Sequence, residues 1–416
     1  MSSPDVTTDT ATVALGDVEP ARSRHAGRRS AVALTEDLLV VGTAAGGVRA
    51  YDRVTLDERW SAAETNDETS VVAGTPFAGG VAVGERGPDG GVRLHDAATG
   101  RVRWRYATAD DVGESQKRTR FFLPFVADLA VRGGRLYVAA RHYERDGDDR
   151  SFRSVIYAFG KGGDVAWTHE TDASPIGLDT DGPDRRDGRV AVAYNRCPGD
   201  HQHGVVVLDA ETGAVQWQWD PGTPGQRRVG DVSLLEAGVA VASHGDYRGY
   251  RLGAGGAERW AVDLATPTEI DGETLYAYPN HVHATAAGCV FVTGNTYPEE
   301  GRETASLHPD EHTAFGYSPD GERVWSASVG GFAGEIAASG DRLAVPCAQQ
   351  FRTRDPAVHG LHVFDLRDGR RVERDSPGIV TAAAVDGRTV AAVEEPVAYH
   401  DEDQRRGAYR LHASEL

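Results

Sequence analysis

The sequence of 416 residues predicts an all-β chain folded as an eight-bladed β-propeller, in which each blade is a four-stranded antiparallel sheet. Three observations lead to this prediction. A hairpin motif recurs along nearly the whole chain, a second and more apolar hairpin precedes each copy, and the copies are spaced at roughly 43 to 55 residues, which is the period of propeller blades.

The first motif is clearest in VLDAETGAVQW, at residues 207–217. It consists of a strand, a turn rich in Asp and Gly, and a second strand that ends in Trp, which is the pattern of a β-hairpin. The related copies are YDRVTLDERW (51–60), LHDAATGRVRW (94–104), YAFGKGGDVAW (157–167), YRLGAGGAERW (250–260), FGYSPDGERVW (315–325) and VFDLRDGRRVE (363–373).

The second motif is a short turn followed by an apolar strand. Its copies are EDLLVVG from residue 36, GGVAVG from 79, GGRLYVAA from 133, DGRVAVAY from 187, AGVAVAS from 237, AGCVFVTG from 287, GDRLAVPC from 340 and DGRTVAAV from 386. Because one four-stranded blade cannot bury both of its own faces, we expect each blade and its Trp to pack on the neighbouring blade. The seven tryptophans are therefore expected to be structural.

The last repeat stops early, since no fourth strand follows YRLHASEL at residues 409–416. The stretch TATVALG at residues 10–16 alternates apolar with polar or small residues and can supply that strand, which would remove two exposed sheet edges. We therefore predict an N-terminal segment at residues 1–30, with its closing strand at about residues 10–16, and a propeller at residues 31–416.

The composition is strongly acidic, with 63 Asp and Glu against 44 Lys and Arg and a formal net charge of -19. The basic residues include only two lysines, Lys117 and Lys161. This composition resembles that of proteins from extreme halophiles such as haloarchaea, in which excess carboxylates maintain solubility at high salt.

Three short basic stretches interrupt the acidic background: QKRTRFF (116–122), GQRRVG (225–230) and DQRRG (403–407). We interpret them as solvated loops, because the repulsion between phosphates and the rest of the chain disfavours nucleic acid as a partner.

The sequence favours a cytoplasmic protein without a membrane partner. No apolar run is long enough to span a bilayer. The stretch RRSAVAL at residues 28–34 is unlike an export signal, because Glu36 and Asp37 interrupt the apolar segment that should follow. The three cysteines are far apart in the sequence and indicate no disulfide framework.

Long insertions fall on one face of the predicted ring. In a four-stranded meander the first and third turns lie on one face, here called the tight-turn face, and the second turns and the crossings between blades lie on the other, the long-loop face. The long connections are residues 108–124, 141–153, 195–204, 265–283, 295–313, 349–360 and 394–407. Lengthening on one face is more easily explained by binding than by stability.

Aromatic and Arg side chains in these connections are the candidate anchors for a protein partner, since such residues dominate interface energetics. They are Tyr143, Arg145, Tyr247, Arg248, Tyr276, Tyr278, Tyr297, Phe351, Arg352 and Tyr399. Our leading hypothesis is a noncatalytic binding or scaffold protein that presents the long-loop face to a protein partner.

Two alternatives concern the same face. Cys197, His201 and His203, together with His281 and His283, could bind zinc or another metal, since zinc takes three or four thiolate or imidazole ligands. A hydrolase or lyase could use one of two histidines as a base with a nearby carboxylate, and the candidates are His244 and His281 with Asp246, Glu299 or Asp310.

The pattern D-A-x-T-G-x-x-x-W, found at residues 96–104 and 209–217, resembles the tryptophan-docking repeat of the pyrroloquinoline-quinone-like β-propellers. That family includes quinoprotein dehydrogenases and noncatalytic scaffolds of outer-membrane assembly. Its dehydrogenase branch implies two adjacent cysteines beside the quinone and a calcium site, whereas Cys197, Cys289 and Cys347 are well separated. The resemblance therefore implies the propeller fold and the noncatalytic branch, without a quinone cofactor; a quinoprotein-like dehydrogenase remains among the enzyme alternatives.

Overall fold

A computed structural model describes residues 10–22, 28–63, 68–182, 187–301, 304–399 and 404–416. Within these ranges the chain has an all-β, β-propeller-like fold of mostly four-stranded antiparallel sheets, which confirms the predicted class. The single α-helix found there, α1 (Ala109–Val112), has four residues, and two 3-10 turns occupy Ala254–Gly256 and Pro356–Val358. In the same ranges no helix has the length and apolar character needed to cross a membrane.

The strands follow one another in short antiparallel meanders. In the first half of the chain they are β1 (Ala11–Gly16), β2 (Ala21–Arg22), β3 (Ala31–Leu34), β4 (Leu38–Gly42), β5 (Val48–Asp52), β6 (Glu58–Ala62), β7 (Ser70–Phe77), β8 (Gly80–Arg86), β9 (Gly91–Asp96), β10 (Val102–Ala107), β11 (Phe125–Arg132), β12 (Arg135–Asp146), β13 (Asp149–Phe159), β14 (Val165–Thr171), β15 (Ser174–Thr180), β16 (Arg189–Arg196), β17 (Val205–Asp209) and β18 (Val215–Trp219).

The second half continues the same pattern. Its strands are β19 (Val229–Leu235), β20 (Gly238–Ser243), β21 (Arg248–Leu252), β22 (Glu258–Asp263), β23 (Thr268–Ile270), β24 (Glu273–Thr285), β25 (Gly288–Pro298), β26 (Thr313–Tyr317), β27 (Arg323–Ser328), β28 (Ala337–Ser339), β29 (Arg342–Cys347), β30 (Gly360–Asp365), β31 (Arg371–Asp375), β32 (Ile379–Asp386), β33 (Thr389–Glu395), β34 (Val397–Ala398), β35 (Arg405–Arg406) and β36 (Tyr409–Glu415).

Sheet order follows chain order in most sheets. Strands β3–β6, β15–β18, β19–β22, β23–β27 and β28–β31 each form a sheet in sequence. The meanders β7–β10 and β11–β14 are joined into one larger sheet by a single pair, Phe125 with Arg86. The last sheet has the order β1-β36-β33-β32, so the N-terminal strand pairs with the C-terminal one.

The hydrophobic core is divided among the interfaces between consecutive sheets. Tyr137 and Ile156 of β12 and β13, for example, share a cluster with Val192 and Val206 of β16 and β17. Similar clusters join the other consecutive sheets, and one joins the last sheet to the first. Strands that are buried on both faces need apolar residues at consecutive positions, which explains runs such as VVVL in β17.

The Trp-ended hairpins dock on the next sheet. Trp167 of β14 donates its indole N–H to the carbonyl of Ala210, at 3.1 Å, and its ring covers the turn glycine Gly213. Gly213 has φ of 74°, and a Cβ there would lie 2.7 Å from the indole. The same arrangement joins Trp60 to Gly100, Trp104 to Gly163, Trp260 to Gly321 and Trp325 to Gly369.

Two predicted loops are strands instead. Residues 141–153 form the outer parts of β12 and β13, which remain paired as far as Asp146 and Asp149. Residues 265–283 contain β23 and most of β24, in which buried and partly exposed residues alternate from Leu275 to Pro279. That alternation is the period of a strand, and it favours pairing over an irregular loop. Two predicted loops, 295–313 and 394–407, and the basic stretch 403–407 extend into positions 302–303 and 400–403, which lie outside the described residues.

Candidate functional site

The innermost strands of the sheets surround a central channel that encloses a cavity of about 620 Å³. Its lining comes from β3, β7, β11, β15, β19, β24 and β32, and from residues 332–338 at the start of β28. Each of these strands begins on the long-loop face. The side chains at and just before the strand starts therefore surround one opening, here called the channel mouth.

Carboxylates connect the innermost strands, and two of them, Asp128 and Asp231, directly follow a β-bulge. Asp128, Asp179 and Asp231 lie in β11, β15 and β19, and each accepts one hydrogen bond from the N–H of the residue that follows it. Each also accepts an N–H from the innermost strand of the next sheet, at 2.6 to 3.0 Å; the donors are Leu178, Leu234 and Val282. These strand edges have no further strand beside them, so the carboxylates satisfy donors that would otherwise be unpaired.

Burial makes these three carboxyl groups weaker acids than an exposed aspartate. It raises the pKa of Asp179 to about 6 and the pKa of Asp231 to about 8, although the backbone N–H bonds act in the opposite direction. The pKa of Asp128 is raised by the same cause. The channel wall therefore carries less negative charge near neutral pH than its residue types suggest.

Arg28 lies across the channel. Its Nη2 is 2.5 Å from the carbonyl oxygen of Ala127 in β11, and its Nη1 is 3.3 Å from the carboxylate of Glu335. Glu335 also accepts the N–H of Ala383 in β32, at 3.2 Å, and burial raises its pKa to about 7. One guanidinium thus connects strands from opposite parts of the chain.

Four arginines lie where neighbouring strands reach the long-loop face and are called the arginine arc: Arg86, Arg141, Arg196 and Arg227. Of these, Arg227 lines the channel. Phe125 pairs with Arg86 on one side and with Arg141 on the other. Its ring centroid is 4.1 Å from Arg86 Cζ and 5.2 Å from Arg141 Cζ. Arg196 and Arg227 face each other in an isolated antiparallel bridge. The arc therefore follows neighbouring strand ends around the mouth.

The hydrogen bonds of the arc go to neutral groups. Arg86 donates to the carbonyl of Arg28 at 3.2 Å, Arg141 donates to a serine hydroxyl of β15, and Arg227 donates to the amide oxygen of Asn195 at 2.9 Å. Burial first, and then nearby guanidiniums, lower the pKa of Arg141 and the pKa of Arg196 to about 10. In the described part of the chain, no member of the arc forms an ion pair with a carboxylate.

A tyrosine cluster lies at the end of the arc and consists of Tyr247, Tyr276, Tyr278 and Tyr297. The ring centroids of Tyr247 and Tyr276 are 4.4 Å apart, and Tyr278 lies 5.4 Å from both Tyr276 and Tyr297. The Arg227 guanidinium lies over the Tyr278 ring at 4.8 Å. Tyr297 is 41% exposed. The cluster and the arc therefore form one continuous surface.

His244 is buried beneath this surface. Its ring lies 4.8 Å from that of Tyr278, and its Nδ1 is 3.3 Å from the amide nitrogen of Asn195. Burial, followed by the charge of Arg227, holds its pKa well below the usual value, so the ring is neutral at physiological pH. Its Nε2 makes no hydrogen bond within the described residues.

Two further predicted anchors belong to separate aromatic groups. Tyr143, on the outer part of β12, lies between Phe122 and Phe152 with ring distances of 5.2 and 5.1 Å. Phe351 contacts Phe332 at a ring distance of 5.7 Å. Neither of these groups is joined to the tyrosine cluster by a ring contact among the described residues.

The remaining four predicted anchors interact within the chain. Arg145 and Arg248 are exposed, and each pairs with a neighbouring aspartate, at 3.2 and 2.7 Å. Arg352 donates to three backbone carbonyls. Tyr399 is buried and its hydroxyl lies 2.6 Å from Nε2 of His359. Of the ten predicted anchors, the structure brings together the four members of the tyrosine cluster.

The predicted metal ligands make protein contacts instead of converging. The thiol of Cys197 faces the carbonyl of His203 at 3.7 Å, and Nε2 of His201 is 2.8 Å from the same oxygen. His281 and His283 direct Nε2 to carbonyl oxygens between β27 and β29, at 3.0 and 2.9 Å. Burial raises the pKa of Cys197 to about 12. Across the ranges that the structure covers, no three His, Cys, Asp or Glu side chains are grouped to hold a metal ion.

The predicted acid–base pairs have other contacts. The carboxylate near His281 belongs to Asp231, whose Oδ2 is 3.8 Å from Nδ1. Asp246 accepts a hydrogen bond from a tyrosine hydroxyl of β21. Within the described residues, no hydrogen bond joins His244 or His281 to the proposed partner carboxylates, which are Asp246, Glu299 and Asp310.

Sequence reasoning missed the arginine arc and Arg28. A usable signal exists in the second motif, because the third residue after its last valine reaches the channel mouth in several repeats. That position is occupied by Arg86, Arg141, Asn195, His244 and Asn295. This position lies beyond the end of the quoted motif, so the repeat pattern alone does not display its polar character.

The chain is similar to known proteins both in its sequence pattern and in its fold. A family model described as outer membrane protein assembly factor BamB matches residues 21–145 and 113–294, which is more than half of the chain. No curated protein matches it in sequence.

Solved structures with the same fold come from two functional groups. BamB from Moraxella catarrhalis is similar with a TM-score of 0.59 at 14% identity, covering 99% of both chains. A quinohemoprotein alcohol dehydrogenase from Comamonas testosteroni has a TM-score of 0.57 at 14% identity, covering 94% of this chain and 75% of that one. Quinohemoprotein alcohol dehydrogenase ADHIIG from Pseudomonas putida HK5 has a TM-score of 0.59 at 11% identity, covering 97% and 75%.

Proposed function

We propose a binding function for this chain, which belongs to the family of the outer membrane protein assembly factor BamB. In this proposal it is a noncatalytic propeller that presents its long-loop face to a protein partner. The observation that carries the proposal is the tyrosine cluster, in which four rings are held on strand ends beside the channel mouth and Tyr297 is 41% exposed. Clustered tyrosines next to arginines are typical of the energetic centre of an interface.

The proposal includes a closed ring of eight blades. It is supported by the sheet order β1-β36-β33-β32, in which the two ends of the chain share a sheet. A second support is the shared core of Val32 and Leu39 with Val393 and Leu411, which joins that sheet to β3–β6. A closed ring gives the long-loop face a fixed shape, so that the strand ends around the mouth keep their positions.

The family description supports a protein partner, because an assembly factor acts on other proteins.

A second candidate function is an enzyme with a small-molecule site at the channel mouth. It is favoured by one observation, the neutral and buried His244 beside a cavity of about 620 Å³. The solved dehydrogenases share only the fold with this chain, and the fold by itself favours neither function.

Site-specific photo-crosslinking tests the proposal. A photoreactive phenylalanine analogue in place of Tyr297 should give one dominant protein adduct in cells, identified by mass spectrometry, because this side chain lies at the centre of the proposed interface. Replacing Tyr276 and Tyr278 with Ala should lower the adduct yield by about tenfold or more without altering the melting temperature, since hot-spot residues contribute about 2 kcal/mol or more each.

The matched control places the same analogue at Val54, which is 90% exposed in a turn of the tight-turn face. Equal adducts at both positions would show non-specific contact and contradict the proposal. Adducts at neither position, together with a small molecule that remains on the purified protein through gel filtration, would favour the enzyme.

A further inference from the structure

The arginine arc is unexpected in a chain with a formal net charge of -19. Burial first, and then the charges of neighbouring arginines, lower the pKa of Arg86, Arg141 and Arg196, so their grouping costs free energy in the unbound protein. Chains with an excess of carboxylates can readily pair such groups, as Arg93 does with the buried Glu85 at 2.6 Å. The arc has no such pairing in the described residues.

Two acidic side chains on this side of the molecule already have other partners. Glu335 pairs with Arg28 at 3.3 Å, and Glu395 pairs with Arg29 at 2.5 Å and accepts the hydroxyl of Ser30 at 2.8 Å. These contacts keep both carboxylates engaged beside the channel. The positive charge of the arc is therefore left for a ligand outside the chain.

The four arginines form a line of successive contacts along neighbouring strands. Arg86 and Arg141 flank the Phe125 ring, and Arg141 donates to the hydroxyl of Ser174, which pairs in register with Arg196. Arg196 in turn bridges to Arg227. An extended ligand with separated negative charges can follow the whole of this line.

The far end of the line is aromatic, since Arg227 stacks on Tyr278 of the tyrosine cluster. An extended ligand would therefore need acidic groups along its length and an apolar or aromatic group at one end. Nucleic acid has such groups, but its phosphates would also meet the field of an acidic chain with a net charge of -19. A short acidic peptide places its few charges on the arc and avoids most of that repulsion.

We infer that the arginine arc and the tyrosine cluster bind an extended acidic segment of the partner polypeptide, with Asp or Glu side chains on the guanidiniums and an aromatic side chain on the tyrosines. This inference rests on the proposed function, because it names the part of the partner that the long-loop face recognises. Guanidinium–carboxylate pairs are charge-assisted and frequently bidentate, so Asp and Glu side chains are suitable partners for the arc.

Fluorescence anisotropy with a labelled peptide of alternating Glu and Tyr tests the inference on the full-length protein. The wild type should bind the peptide. Arg196→Gln/Arg227→Gln should weaken binding by about tenfold or more, because it removes two charge-assisted contacts with the peptide. Arg227→Gln alone should give an intermediate loss. This single variant is less disruptive to the fold than the double variant, because the one side-chain hydrogen bond that it removes among the described residues is that from Arg227 to Asn195. It therefore separates a loss of binding from misfolding.

The charge-matched control is Arg367→Gln/Arg370→Gln, which removes two exposed arginines on the tight-turn face and should leave peptide binding unchanged. Equal binding by the wild type and the arc variant would overturn the inference. So would tighter, arc-dependent binding of a thymidine oligonucleotide of the same length, or arc-dependent binding of citrate without binding of the peptide.

The two proposals fail in different ways. A specific adduct at Tyr297 combined with arc-independent peptide binding would refute the arc and leave the protein-binding function in place. Arc-dependent peptide binding without any adduct in cells would refute the proposed interface and leave an acidic-peptide site whose natural ligand is not a stable partner.

Discussion

Arg28 connects parts of the ring that lie far apart in the sequence. Its guanidinium bonds to β11 through Ala127 and to Glu335, which itself accepts an N–H from β32. Breaking a buried ion pair costs about 3–5 kcal/mol when the remaining charge is left without a partner. Glu335 can reduce this cost by binding a proton, since its pKa is raised to about 7.

We therefore predict that Arg28→Ala lowers the free energy of unfolding by about 2 kcal/mol at pH 7. Adding Glu335→Gln should restore at least about half of that loss, because the amide carries no charge that needs a counterion. Urea denaturation of the wild type, both single variants and the double variant measures the coupling free energy of the pair. Losses that simply add would show that Arg28 acts through Ala127 alone.

At the scale of elements, the innermost strands are held together by side chains instead of by a continuous sheet. In each of three strands an aspartate accepts a backbone N–H from the next innermost strand. In β11 and β19 this aspartate directly follows a β-bulge. Asp231 is the strongest example, because burial raises its pKa to about 8 from an ordinary value of 3.8. The folded chain therefore retains a proton on this group at pH values where the unfolded chain has lost it.

This linkage predicts a pH dependence with a definite sign. The contribution of Asp231 to stability is complete below about pH 4 and is lost as pH rises towards 8, through the raised pKa. Asp231→Asn cannot ionise, so its melting temperature relative to wild type should increase by at least about 2 °C between pH 5 and pH 8.

Differential scanning calorimetry across this pH range measures the difference, and Asp148→Asn is the control because Asp148 is fully exposed in a hairpin turn. A constant difference between Asp231→Asn and wild type at all pH values would contradict the raised pKa.

At the scale of the whole molecule, the two ends of the chain meet in one sheet. Strand β1 covers the edge of β36 through pairs from Ala11 with Ala413 to Gly16 with Tyr409, and Leu15 is buried in the core shared with the first sheet. Without β1, the last sheet would have three strands and an exposed edge.

We predict that deletion of residues 1–20 lowers the melting temperature by at least about 5 °C, because it removes one strand and part of an inter-sheet core. Deletion of residues 1–9 retains β1 and should leave the melting temperature close to that of the wild type. Thermal unfolding followed by circular dichroism makes the comparison, and an unchanged value for the longer deletion would refute closure by the N-terminal strand.

Much of the fold could be read from local pattern. Hairpins, their turn glycines and the Trp that ends most copies of the motif are encoded within about a dozen residues, so their positions agree with the observed strands. The long connections were less predictable, because residues 141–153 continue an existing hairpin and residues 265–283 combine two strands. Extension of a strand depends on whether its partner is also extended, which is a property of the pair.

The sequence by itself determined the repeat, the all-β class and the asymmetry between a tight-turn face and a long-loop face, because each is a matter of period and local turn chemistry. Only the tertiary structure decided which polar side chains meet. Arg86, Arg141, Arg196 and Arg227 are separated by tens of residues and become neighbours because four strand ends arrive at one channel mouth. Their charge matters only as a group, since electrostatic interactions depend on distance in space and not on distance along the chain.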